Sequence, residues 1–142
     1  MNYTSIEQSK KLIEAGLPIE TADMHYINNK HPGCVPYQEM KKTNNEWLQG
    51  TEITPCWSID ALLDIMPKTI PHKDFSVLET RKQWVYGWIL TPSTLYYGCK
   101  VICEHTECYI DSLVEFHYTD SIIEALYNMV VWLLENNYIK KG

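Results

Sequence analysis

Between residues 84 and 118 the hydrophobic pattern alternates with a period of two, and on both sides it follows the period of an α-helix. Alternation puts successive side chains on opposite faces of a strand. In "QWVYGWILT", Trp84, Tyr86, Trp88 and Leu90 share one face, and Val85, Gly87 and Ile89 share the other. "LYYGCKVICE" places Leu95, Tyr97, Cys99, Val101 and Cys103 together. "CYIDSLVEFHY" does the same for Ile110, Val114 and Phe116, with Asp111, Glu115 and Tyr118 partly toward solvent. "TPST" and "HTE" are turns, so the connections are short and the strands form an antiparallel meander. "FSVLE", Phe75–Glu79, is a fourth strand candidate.

The flanking segments read as helices. In "TSIEQSKKLIEAG", Thr4 and Glu7 have capping-box spacing, Gly16 is a stop, and a helix is predicted over Ser5–Ala15. "PCWSIDALLDIMP" starts on Ser58 as N-cap and ends at Pro67. "SIIEALYNMVVWLLENNYIKKG" carries a second capping box, Ser121 with Glu124. Its stripe of Ile122, Leu126, Met129, Val130 and Leu133 predicts a helix over Ser121–Glu135. Asn136–Asn137 supply its left-handed stop. The expected class is α+β, with N-terminal helices, an antiparallel meander of three to four strands, and a C-terminal helix packed on one sheet face. A chain of 142 residues suits a single domain, 1–142. Residues 1–55 form an irregular region with a short helix, in which "TADMHYI" is a short strand candidate and "QEMKKTNNEWLQG" a candidate helical turn, and 56–142 a helix–sheet–helix core.

Charge narrows the function classes. The chain has 12 Lys and Arg against 18 Asp and Glu, a net charge of −6. Non-specific nucleic-acid binding rests on neutralising phosphates with basic side chains, so a nucleic-acid partner is not expected. The first twenty residues lack a basic start followed by an apolar run, and no stretch approaches 18 apolar residues. Five cysteines, an odd number, with no export signal, point to free thiols in a reducing cytoplasm and to no membrane association.

The densest chemistry is "CKVICEHTEC", Cys99–Cys108. Zinc sites want four ligands, commonly two close pairs far apart in sequence. Cys99 and Cys103 would stand about 13 Å apart along a strand, too far for one ion. Cys103, His105 and Cys108 are the metal candidates, reachable only if the turn folds back. The alternative is that Cys99 and Cys103 are small apolar side chains of the interior. Asp23 and His25, two apart, could form an oriented imidazole with Cys34 as nucleophile, or a surface pair. Asp60 and Asp64, one helical turn apart, are either a cation site or a solvated face. No phosphate loop, nucleophile elbow or zinc-helix motif is present, so no catalytic residue and no cofactor is assigned. The aromatic run Trp84, Tyr86 and Trp88 is the candidate interaction surface. Both faces of its strand are apolar, so one of them must meet something other than water.

"PCWSIDALLDIMPK" (Pro55–Lys68), a meander, and "IEALYNMVVWLLENNYIKKG" (Ile123–Gly142), with the opening "TSIEQSKKLIEAGL" and "TADM", resemble a group of small uncharacterised proteins. That group occurs in phages, prophages and mobile elements of Bacteroides-type gut bacteria. Residues 28–50 and 70–80 lie outside the resemblance. The resemblance implies no function, because the group has no established activity or catalytic motif to carry over. The leading reading is a cytoplasmic, non-enzymatic accessory protein of a phage or mobile element in the bacterial host cell, acting by binding an unknown protein partner or as a homodimer. Two other readings stand beside it. One is a nucleic-acid-associated module, on the helix–three strands–helix order. The other is a small hydrolase or metal-binding enzyme, on "ADMH" and "CEHTEC".

Overall fold

A computed structural model describes residues 2–42, 50–71, 85–103 and 106–142, with the backbone alone for 100–111. The element order is α1 (Ile6–Ala15), a 3-10 turn (Ile19–Thr21), β1 (Met24–Ile27), α2 (Tyr37–Lys42), β2 (Ile53–Cys56) and α3 (Ile59–Ile65). Then follow β3 (Thr69–Pro71), β4 (Val85–Leu90), β5 (Thr94–Cys103), β6 (Thr106–His117) and α4 (Ile122–Glu135). The class is α+β, with two antiparallel sheets, β1-β2 and β3-β4-β5-β6. The candidate strand Phe75–Glu79 lies outside the described residues. Contacts group Met1–Met66 with Ser121–Gly142 in one compact unit and Pro67–Asp120 in another.

In the first unit α4 packs against α3 and α1. Its buried face is Ile123, Ala125, Leu126, Met129, Val130, Leu133 and Leu134. These meet a core of Leu12, Cys56, Trp57 and Leu62, each fully buried. The predicted stop holds: Asn137 takes φ 63°, and the Tyr138 N–H donates to Leu133 O at 2.8 Å. Tyr138 then stacks on Trp132 with centroids 5.6 Å apart. Both predicted capping boxes need correction. On α1 the box is Ser5–Gln8, one residue later than Thr4–Glu7. Thr4 is fully buried, and its hydroxyl accepts the Trp57 N–H at 3.1 Å and shares a proton with Ser9 at 2.8 Å. A threonine engaged in the core cannot also cap. On α4, Ser121 makes no cap bond, and its Oγ is buried without a partner among the described residues.

The N-terminal stretch expected to be irregular contains the β1-β2 sheet, with Tyr26 opposite Thr54 and His25 opposite Pro55. Beyond β1, Asn28 and Asn29 take φ 49° and 60°, and Lys30 N–H donates to Ile27 O at 3.1 Å. Two consecutive left-handed residues make a type I′ turn, for which asparagine is well suited. The chain folds back until Gly33 exchanges both backbone hydrogen bonds with His25, at 3.1 and 2.8 Å.

In the second unit, β4 and β5 pair in the register Tyr86–Cys99, Gly87–Gly98, Trp88–Tyr97, Ile89–Tyr96 and Leu90–Leu95. The "TPST" turn forms as predicted, with Thr91 N–H donating to Thr94 O at 2.8 Å. The β5-β6 ladder slips twice, between Tyr97 and Gly98 and between Cys99 and Lys100. Leu113 and Ile110 are the extra residues of the two bulges. Val114 and Phe116 lie opposite Tyr97 and Leu95, but the alternation expected to continue to Ile110 is broken by the bulge at Leu113.

Candidate functional site

The register of β4 and β5 separates the two apolar faces of the central strands. Tyr86, Leu95, Tyr97 and Cys99 share one face, and all four are buried. Tyr97 donates its phenol to Pro67 O at 2.8 Å, and burial pushes its pKa well above the ordinary phenol range. Within the candidate interaction surface, Trp84 lies outside the described residues, Tyr86 is 6% exposed, and Trp88 is half-buried.

The opposite face is the more open one. Gly87 and Gly98 sit directly across from each other and leave a floor of bare backbone. Val85 and Ile89, both half-buried, stand on either side of Gly87. With Trp88 these residues line a trough of about 230 Å³. Nothing local demands glycine at position 87. Its φ lies outside the left-handed range, and among the described residues an added Cβ would meet only Lys68 O, at an ordinary 3.8 Å. Glycine in a strand interior weakens the strand by roughly 0.5–1 kcal/mol relative to alanine.

The other sequence candidates resolve as follows. The backbone of Cys103 pairs with Thr106 and that of Cys108 with Val101, while His105 and the side chains of both cysteines lie outside the described residues. Cys99 is fully buried. Among the described residues no group of three or more His, Cys, Asp or Glu could hold a metal ion.

Asp23 and His25 do not form a dyad. The Asp23 carboxylate accepts the Ser58 N–H at 2.9 Å and the Ser58 hydroxyl, which ties the start of α3 to the strand entry. His25 is 4% exposed rather than a surface residue. Its Nδ1 lies 2.7 Å from Val35 O, and because a carbonyl only accepts, Nδ1 carries the proton. The other edge of the ring lies against Gly33. Cys34 is exposed on the same loop. Asp60 and Asp64 are exposed on α3, and with Asp23, Ile65 and Ile139 they line an open groove of about 490 Å³.

Sequence reasoning missed the Thr4 node. The Tyr26 phenol donates to Thr4 O at 2.7 Å, and the Cys56 thiol approaches the same oxygen at 3.5 Å. Burial pushes the Cys56 thiol up to about 11, so it stays protonated and unreactive at neutral pH. These contacts join residues 22 and 52 positions apart, and no spacing rule would find them. It also missed a third groove, of about 500 Å³, lined by Tyr3, Tyr26, Asn29, Lys30, His31 and Pro32. The turn signal "NNKHPG" marked the loop but not the aromatic rings it overhangs.

No helix among the described residues is long and apolar enough to cross a membrane. The chain matches no protein-family model, and no curated protein or solved structure is similar to it.

Proposed function

We infer that this chain is a non-enzymatic accessory protein of a phage or mobile element, acting in the cytoplasm of its bacterial host by binding protein. The glycine-floored trough on β4 and β5 is the surface that does so, seating an apolar side chain of a partner or of a second copy. One observation carries the reading: Gly87 lacks a side chain where the described residues leave room for one. A strand that gives up packing and propensity at a half-open position is keeping that space for something else.

Gly87→Val is the test, because valine favours strands and would fill the trough. Stability in urea should hold or rise. Self-association by sedimentation equilibrium, or crosslinking from position 89 to a partner in host cells, should fall. If the variant is less stable than the parent, the fold itself needs the glycine and the reading fails.

A further inference from the structure

We propose that the groove over Tyr3 and Tyr26 binds a small ligand that joins a planar ring to an anionic group. Three observations converge there. The first is charge: the chain carries a net −6, yet among the described residues this groove has no carboxylate in its lining. Lys30, His31 and Asn29 offer an ammonium, a ring N–H and an amide, and all three side chains are exposed. In an acidic protein, a rim of hydrogen-bond donors with a lysine among them favours an anion.

The second is the wall. Tyr3 and Tyr26 meet edge to face, with centroids 6.4 Å apart and planes at 72°. Pro32 adds an apolar surface to the lining. Tyr26 is 6% exposed and its phenol is held by Thr4 O, so it fixes the wall from behind while the half-buried Tyr3 presents more of the open aromatic surface. A flat ring gains most from such a surface. The third is rigidity. The loop that carries the donors is pinned at both ends. Asn28 N–H donates to Glu52 O at 2.8 Å, and Glu52 N–H returns a bond to Asn28 Oδ1 at 2.9 Å. At the far end Gly33 is locked to His25. A loop whose backbone is already ordered loses little freedom when a ligand arrives. The anion is a phosphate or a carboxylate, and the ring an aryl group or a base.

Titrations of the full chain with AMP, phenyl phosphate, benzoate, adenosine and inorganic phosphate, followed by amide NMR, test this. AMP and at least one aryl anion should bind saturably and displace each other, shifting Tyr3, Lys30 and His31. Adenosine and inorganic phosphate, which each carry half of the chemistry, should bind more weakly. The stronger of phenyl phosphate and benzoate identifies the anion. Lys30→Ala should weaken binding about fivefold, the worth of one ion pair at contact distance in water. Lys30 contributes only its backbone N–H to the turn, so this variant keeps the fold, and His31→Ala serves as a second check. The proposal is overturned if no aryl anion shifts these residues, if adenosine binds as well as AMP, or if both variants bind like the parent.

Discussion

Gly33→Ala should be among the most damaging small substitutions in the chain. An alanine Cβ at this position would stand 2.7 Å from His25 Cε1 and 2.9 Å from Nε2. Carbon atoms rest comfortably at about 3.5–4.0 Å, so about 0.8–1.3 Å must be found. The backbone cannot supply it cheaply, because Gly33 and His25 are joined by two hydrogen bonds. The imidazole cannot supply it either, being 4% exposed and anchored through Nδ1 to Val35 O. Overpacking of this kind costs about 1–3 kcal/mol. If the ring swings away instead, a buried N–H loses its acceptor, which costs about the same. We expect a loss of about 2–3 kcal/mol in urea unfolding, against a total near 5–15 kcal/mol for a domain. His25→Ala costs stability by itself, but adding Gly33→Ala to that background should be nearly neutral. A single-mutant loss below about 0.5 kcal/mol, or equal losses in both backgrounds, would refute the contact.

Two further outcomes follow from the first unit and the buried thiol. Leu133→Ala empties a fully buried site and should cost about 2–5 kcal/mol in denaturant, while Asn128→Ala, outside the buried face of α4, should cost less than about 0.5 kcal/mol. Equal, mild effects would mean that α4 is not packed on this face. In alkali, the unfolded chain releases the Cys56 proton near 9.0 and the folded chain near 11. Stability is therefore complete below pH 9 and declines by about 3 kcal/mol as pH rises to 11, with Tyr26 and Tyr97, also raised by burial, adding to the loss. Equilibrium unfolding at pH 8, 9, 10 and 11 checks the direction, and a Cys56→Ala variant should show a shallower decline.

Long periodic segments were legible in the sequence because each repeats its signal several times. The α4 stripe and the β4-β5 faces are of this kind, while the Ser58 cap and the Gly16 and Asn137 stops are legible from the chemistry of a single residue. The α1 box forms one residue later than Thr4 because tertiary contacts with Trp57 and Ser9 engage the Thr4 hydroxyl, whereas at Ser121 no cap bond forms. Strand β1 lies within the "TADMHYI" candidate, but β2 has four residues, too few to show a period, and the two find each other across more than twenty residues. The Asp23–His25 spacing suggested one dyad, whereas the fold gives each side chain a separate partner, Ser58 and Val35. The glycine trough was half visible: alternation put Gly87 on the Val85–Ile89 face, but only the pairing with Gly98 makes it a floor.

The two bulges of β6 bear on how the chain avoids polymerising. Among the described residues β6 is paired on one side only, by β5, and at twelve residues it offers a long row of backbone groups on which a foreign strand could grow. Templated fibril growth wants six or seven residues in unbroken register. The slips at Leu113 and Ile110 cut β6 into regular runs of Val114–His117, Asp111–Ser112 and Thr106–Tyr109, none longer than four residues. Each slip also adds local twist, so an incoming strand that matched one run would be out of step with the next. The irregularity that costs this sheet two ladder positions thus keeps its open edge from becoming a seed.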